Sequence, residues 1–140
     1  MIQHVRIVGC GGRSLNPYKV RDWLASRLTF ELDRLFGAGQ WEIAVLAEGN
    51  QTGGDEGCGL YADEYLPAGR HAQIEANWLM FGNDAGPIRN RDMFNRIRPN
   101  VLIAFPGQYG TGDMLTLIEE YNSCNPPQPV HIIKPQGVFK

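Results

Sequence analysis

A chain of 140 residues and 15.6 kDa has room for one hydrophobic core, so residues 1–140 are expected to form a single domain. Its 43% hydrophobic and 20% charged residues exclude a disordered tail or a fibrous repeat. A formal net charge of −2 supplies no overall field toward nucleic acid or an anionic membrane, so nucleic acid is disfavoured as a partner and any anion site must be local.

In chain order, Val5 to Val8 reads as a strand that enters the glycine loop Gly9-Cys10-Gly11-Gly12. Asn16-Pro17 offers an N-cap with proline in the first helical position, and Val20, Leu24, Leu28, Leu32 and Leu35 follow at helical spacing until Gly37 and Gly39. Ile43 to Leu46 is the next strand, followed by Glu48-Gly49-Asn50 and a second glycine cluster, Gly53 to Gly59. A short helix through Leu60, Ala62 and Tyr65, a weaker strand over Ala72 to Ala76 and an aromatic loop, Trp78 to Phe81, come next.

Gly86-Pro87 starts a helix carrying Ile88, Met93, Phe94 and Ile97. Val101 to Phe105 has the unbroken apolar character of a strand buried on both faces. Gly110-Thr111 begins another helix that ends before Asn125-Pro126-Pro127, Val130 to Ile133 is a last strand, and a loose tail closes the chain. Strands alternating with helices predict an α/β fold, Rossmann-like, with three α/β/α layers and a mainly parallel sheet of about five strands. In such folds ligands sit at the carboxyl ends of the strands.

Three cysteines without a CxxC pair and a start without a signal-peptide pattern predict a reduced, cytoplasmic setting. No segment reaches the ~20 apolar residues of a membrane span. His4, His71 and His131 show no metal-ligand spacing and read as surface or strand-edge residues, so neither a metal nor a cofactor is expected. The acidic stretch Asp55, Glu56, Asp63 and Glu64 reads as a solvent-exposed helix face.

The sharpest feature is Phe105 to Met114, a glycine-rich turn between a buried strand and a helix, whose amides and Thr111 would offer an anion site. An ordinary tight turn with Thr111 as N-cap explains the same residues. Four arginines stand against one aspartate between Arg89 and Arg98, and Arg89 with Asn90 lies where a first helical turn would face the strand ends. The first loop lacks the third glycine of GxGxxG, Ser14 standing there, which disfavours hydride transfer even though Glu48 sits where a ribose-binding acid would. There is no GxxxxGK[ST] phosphate loop.

Val5 to Arg13, Gly53-Gly54-x-x-Gly57, Asn77-Trp78 with Gly82, Ala85 to Met93, and Ile103 to Gly107 through Gly110-Thr111 together resemble the SLOG superfamily of Rossmann-like nucleotide-binding proteins, and within it the YspA-like group. The resemblance implies a nucleotide-derived ligand, held by Gly11, Gly12 and Arg13 on one wall, by Gly53, Gly54, Gly107, Gln108, Gly110, Thr111, Arg89, Asn90 and Asp113 elsewhere, with Trp78 or Tyr109 over the base. It further implies sensing or sequestration of a nucleotide signal, in some relatives during conflict between cells and viruses, and pairing into homo-oligomers. Phe30 and Phe36 are apolar residues that such pairing would cover. In LOG-type phosphoribohydrolases, distant relatives, an arginine and a glutamate do the chemistry. Arg89 matches the arginine, but Met114 stands at the glutamate position and cannot move a proton. No catalytic residue is therefore assigned. The rival readings are an N-glycosidase with Asp113, Glu48 or Asp55 in that role, a nucleic-acid binder, and a partner-binding module.

Overall fold

A computed structural model describes all residues, Met1–Lys140. The elements run β1 (Gln3–Cys10), α1 (Pro17–Phe36), β2 (Trp41–Glu48), α2 (Gly54–Tyr65), β3 (His71–Gln73), α3 (Trp78–Phe81) and a 3-10 turn (Gly82–Asp84), then α4 (Ala85–Ile97), β4 (Val101–Ala104), α5 (Tyr109–Ser123) and β5 (His131–Ile133). The five strands form one all-parallel sheet in the order β3-β2-β1-β4-β5. The chain order therefore reverses between β1 and β4, the place where such sheets receive ligands.

Alternation along the strands splits the apolar residues between two helical layers. Val5, Ile7, Leu46, Val101 and Ile103 face Val20, Leu24, Leu28 and Leu32 of α1 and Cys58, Tyr61 and Ala62 of α2. Val8, Cys10, Ala47, Leu102 and Ala104 face Met93 of α4 and Met114 and Ile118 of α5. This is the three-layer Rossmann-like architecture. No helix is long and apolar enough to cross a membrane.

Several boundaries differ from the sequence reading. The second glycine cluster is not a loop but the first two turns of α2, and a Cβ on Gly57 would collide with Val20 of α1, so glycine lets the two helices approach closely. The aromatic segment is the helix α3, whose start is capped by Asn77 accepting from Met80 N at 3.0 Å. The tail is not loose: Phe139 is buried edge-on against Phe105, and its carbonyl accepts from Asn16 N at 2.6 Å. The expected cap of α1 is present, with Asn16 accepting from Tyr18 N at 2.9 Å. Phe30 is exposed beneath the Arg27 guanidinium, whereas Phe36 packs against the core and, edge-on, against His131.

Candidate functional site

Three loops meet at the carboxyl rim, and Gly12 joins them. Its amide donates to Pro106 O at 2.8 Å, after β4, and its carbonyl accepts from Gly54 N at 3.0 Å, at the start of α2. So close an approach requires missing side chains: a Cβ on Gly54 would fall on the Gly11 backbone, and one on Gly11 would lie 2.9 Å from Phe105 Cβ. Gly53, at φ 76°, turns the chain against Gly12 and Arg13. Glycine at 11, 53 and 54 is thus accounted for by the close packing of the first loop on the start of α2. Gly107 is tight as well, its place for a Cβ taken by Thr111 Oγ1 at 2.5 Å and Gly12 N at 2.8 Å. Gly110 is different, because a Cβ there would meet nothing within 4 Å and its φ is not positive.

At the end of β1 the Cys10 thiol lies buried where three other buried residues converge. Burial pushes it up to about 12, and Asp55 pushes in the same direction; Thr111 and Arg89 oppose them. Asp55 comes from α2, Arg89 from α4 and Thr111 from α5, so the three helical starts meet over the central strand. Arg89 donates through Nη1 to Gly49 O at 2.6 Å and through Nε to Asn90 Oδ1 at 3.0 Å. Its Nη2 makes no hydrogen bond, nor does it form any salt bridge. No side-chain nitrogen or oxygen is both sealed from solvent and unpartnered, so Nη2 opens onto the rim. Burial lowers the Arg89 pKa, Asp55 raises it, and the charge of Arg13 lowers it further. Two guanidinium groups therefore face one region in which neither is paired.

Arg13 lies over the Trp78 ring, 5.1 Å from its centroid, and Gly86 lies under the same indole. Trp78 is thereby folded across the first loop from α3. The amides of Tyr109, Gly110 and Thr111, at the start of α5, donate to nothing in the chain, and Gln108 places no side-chain cap on them. The Tyr109 ring is exposed beside them. Asn90 is committed internally: its amide donates to Gly110 O at 3.1 Å and Asp113 Oδ2 at 2.9 Å while its oxygen accepts from Arg89. Asn90 and Asp113 thus brace α4 against α5 and fix Arg89 next to Gly110.

Met114, the position at which the sequence resemblance would have placed a catalytic glutamate, faces away from the rim. Met114 is 1% exposed and belongs to the core between α5 and the sheet. Glu48, the ribose-acid candidate, is also 1% exposed, and its oxygens are taken by Asn50 N and by His71 Nε2. His71 reaches Asp63 through Nδ1. Glu48, Asp63 and His71 line a polar cavity of about 280 Å³ together with Asn50, Thr52 and Gln73. No group of three His, Cys, Asp or Glu side chains is placed to hold a metal ion.

Two features escape the sequence reading. Asp55, taken there as part of an exposed acidic face, is 5% exposed, and His71, taken as an isolated edge histidine, ties β3 to β2 and α2. Their burial depends on pairing between distant segments, which no local spacing signals. Comparison of the chain with protein-family models, curated proteins and solved structures finds no significant match.

Proposed function

We propose that this chain binds a nucleotide-derived, phosphate-bearing small molecule on the carboxyl rim of the sheet and senses or sequesters it. The observation that carries the reading is that buried Arg89 leaves Nη2 unpaired at the rim while its neighbour Asn90 is bonded to Gly110 at the start of α5, whose first three amides are also free. Guanidinium and helix-start amides both favour an anion with several acceptor oxygens. Arg13 adds a second positive charge, and Trp78 adds an aromatic face next to it for a base. The resemblance to the SLOG superfamily points the same way. Homo-oligomer formation belongs to this proposal and rests on that resemblance.

Mass spectrometry of whatever the freshly purified protein releases on denaturation, followed by calorimetric titration with that compound or with nucleoside monophosphates, tests the reading. Arg89→Ala is expected to weaken binding at least tenfold. A protein that releases nothing and takes up no nucleotide at millimolar concentration refutes it.

A second reading, cleavage of an N-glycosidic bond, is favoured by one observation. Of the three acids that could replace the absent glutamate, Glu48 has both oxygens taken, by Asn50 N and His71, and Asp113 is tied to Asn90, whereas Asp55 is buried beside the Arg89 guanidinium with no side-chain partner. Release of free base from nucleoside monophosphates, abolished in Arg89→Ala, would establish turnover in place of binding alone.

A further inference from the structure

Asp55 is a carboxyl group on the rim, beside Arg89, that phosphate binding does not use, and its position is unfavourable for that task alone. Its side chain is buried at the start of α2, and Oδ2 accepts from Gln51 N at 3.3 Å. The Gly49 amide also faces this carboxyl group, but no side chain donates to either oxygen, and since no unpartnered side-chain oxygen is sealed from solvent, the carboxyl group opens outward as Arg89 Nη2 does. The two groups are neighbours across Gly49: a Cβ on that glycine would lie 2.5 Å from Arg89 Cζ and 2.9 Å from Asp55 Oδ2. A carboxylate placed there repels an incoming phosphate. A site for bare anions would be better served by an amide or hydroxyl.

The repulsion is offset if the ligand brings a hydrogen-bond donor within a few ångströms of its phosphate. In a nucleotide the sugar lies between phosphate and base, so the group that reaches Asp55 while Arg89 holds the phosphate is a sugar hydroxyl. We infer that Asp55 accepts a hydroxyl of a sugar phosphate through its carboxylate, so that the rim selects ribose-type ligands over other phosphate esters and over inorganic phosphate. This rests on the anion-binding reading above. Asp55 then acts as a specificity-determining residue, with Gly49 as the glycine that lets acceptor and donor stand side by side. A hydrogen bond to a charged acceptor is worth about tenfold or more in affinity.

Calorimetric titration at pH 8.5, where the Asp55 carboxyl with its pKa of about 7 is ionised, with AMP and with 2′,3′-dideoxy-AMP, which carry the same base and phosphate, tests the inference. The wild-type chain is expected to bind AMP about tenfold or more tightly than the dideoxy compound. Asp55→Asn and Asp55→Ala should reduce that preference to less than about threefold, chiefly by weakening AMP, and leave dideoxy-AMP unchanged or tightened by the lost repulsion. Equal binding of the two nucleotides by the wild type overturns the inference and leaves the phosphate site standing. So does a preference that survives in a folded Asp55 variant. Failure of both nucleotides and of inorganic phosphate to bind removes the anion site and this inference with it. The wild-type comparison requires no substitution, so the inference is decided even if the variants do not fold.

Discussion

His71 and Glu48 share a 2.7 Å hydrogen bond between Nε2 and Oε2, and the carboxylate partner is almost wholly buried. The second ring nitrogen lies 2.7 Å from Asp63, so the arrangement calls for an imidazolium donating from both nitrogens. Burial opposes that charge, but the bonds to Glu48 and Asp63 outweigh it and raise the pKa above its ordinary 6.5. The folded chain therefore holds a proton that the unfolded chain releases, and the stabilisation, complete below pH 6.5, is lost as pH rises through the folded value. His71→Ala leaves Glu48 buried without its cation, at a cost of about 2–4 kcal/mol. Denaturant unfolding at pH 6 and pH 9 should show a larger penalty at pH 6; equal penalties would exclude the charged bridge.

Asp55 produces a second pH dependence in a lower window. Burial raises its pKa from 3.8 to about 7; Arg89 pulls down, Glu48 pushes up, and the amides of Gln51 and Gly49 pull down. The native state thus binds a proton between these values that the unfolded state has lost, and stability falls as pH rises from about 4 to 7. At about 1.4 kcal/mol per unit the whole effect reaches about 4 kcal/mol at most. Asp55→Asn should flatten the profile below pH 7 and make the chain more stable than wild type at pH 8. Melting temperatures across pH 4–8 check this, and an unchanged slope in Asp55→Asn would show that Asp55 is ionised throughout.

The rim glycines separate into two kinds, and alanine tells them apart. At Gly54 a Cβ strikes the Gly11 backbone, which is held between Phe105 and α2, so Gly54→Ala should destabilise by roughly 1–3 kcal/mol or more. At Gly110 a Cβ meets open space inside a helix, where alanine gains roughly 0.5–1 kcal/mol. Gly110→Ala should therefore melt slightly higher yet bind nucleotide more weakly, because the methyl stands at the free amides. A variant that is more stable and binds as well as wild type would place the ligand elsewhere.

Met114→Glu tests whether an acid at this position is enough to give base release. Met114 packs among Val8, Cys10, Met93 and Ala104 with no charged partner. A glutamate there is expected to cost several kcal/mol and to leave base release undetected. Free base from a stably folded Met114→Glu protein would mean that α5 can rotate this position onto the rim.

The strands and helices were legible because their signals are local: Val20, Leu24, Leu28 and Leu32 repeat at the spacing of one buried helix face, and Asn16-Pro17 marks its start. Arg89 and the Gly107–Thr111 turn could likewise be read from sequence as rim residues. Glycines 54, 57 and 59 misled, since the same residue type serves a flexible loop and the closest helix packing; only the positions of Gly11, Val20 and His71 decide between them. Asp55 and His71 were misread for the opposite reason, their partners being supplied by α4 and β2 at distant positions in the chain. The tail was illegible because Phe139 is buried by Phe105, which belongs to another segment.

Trp78 offers an optical test of where the ligand sits. Its indole covers the Arg13 guanidinium at the rim, whereas Trp41 is bonded to Asp33 and Trp23 packs edge-on against Phe105 in the opposite layer. Trp23 also lines a cavity of about 400 Å³ with Arg27, Glu31 and Lys134, a separate cationic hollow beside β5. A phosphate that draws Arg13 off the ring, or a base that stacks there, changes only the Trp78 emission. Nucleotide addition should alter wild-type fluorescence, leave Trp78→Phe silent, and bind Arg13→Ala about three- to tenfold more weakly through loss of one phosphate contact. A signal that persists in Trp78→Phe and disappears in Trp23→Phe would move the ligand to the hollow beside β5 and leave the rim without an occupant.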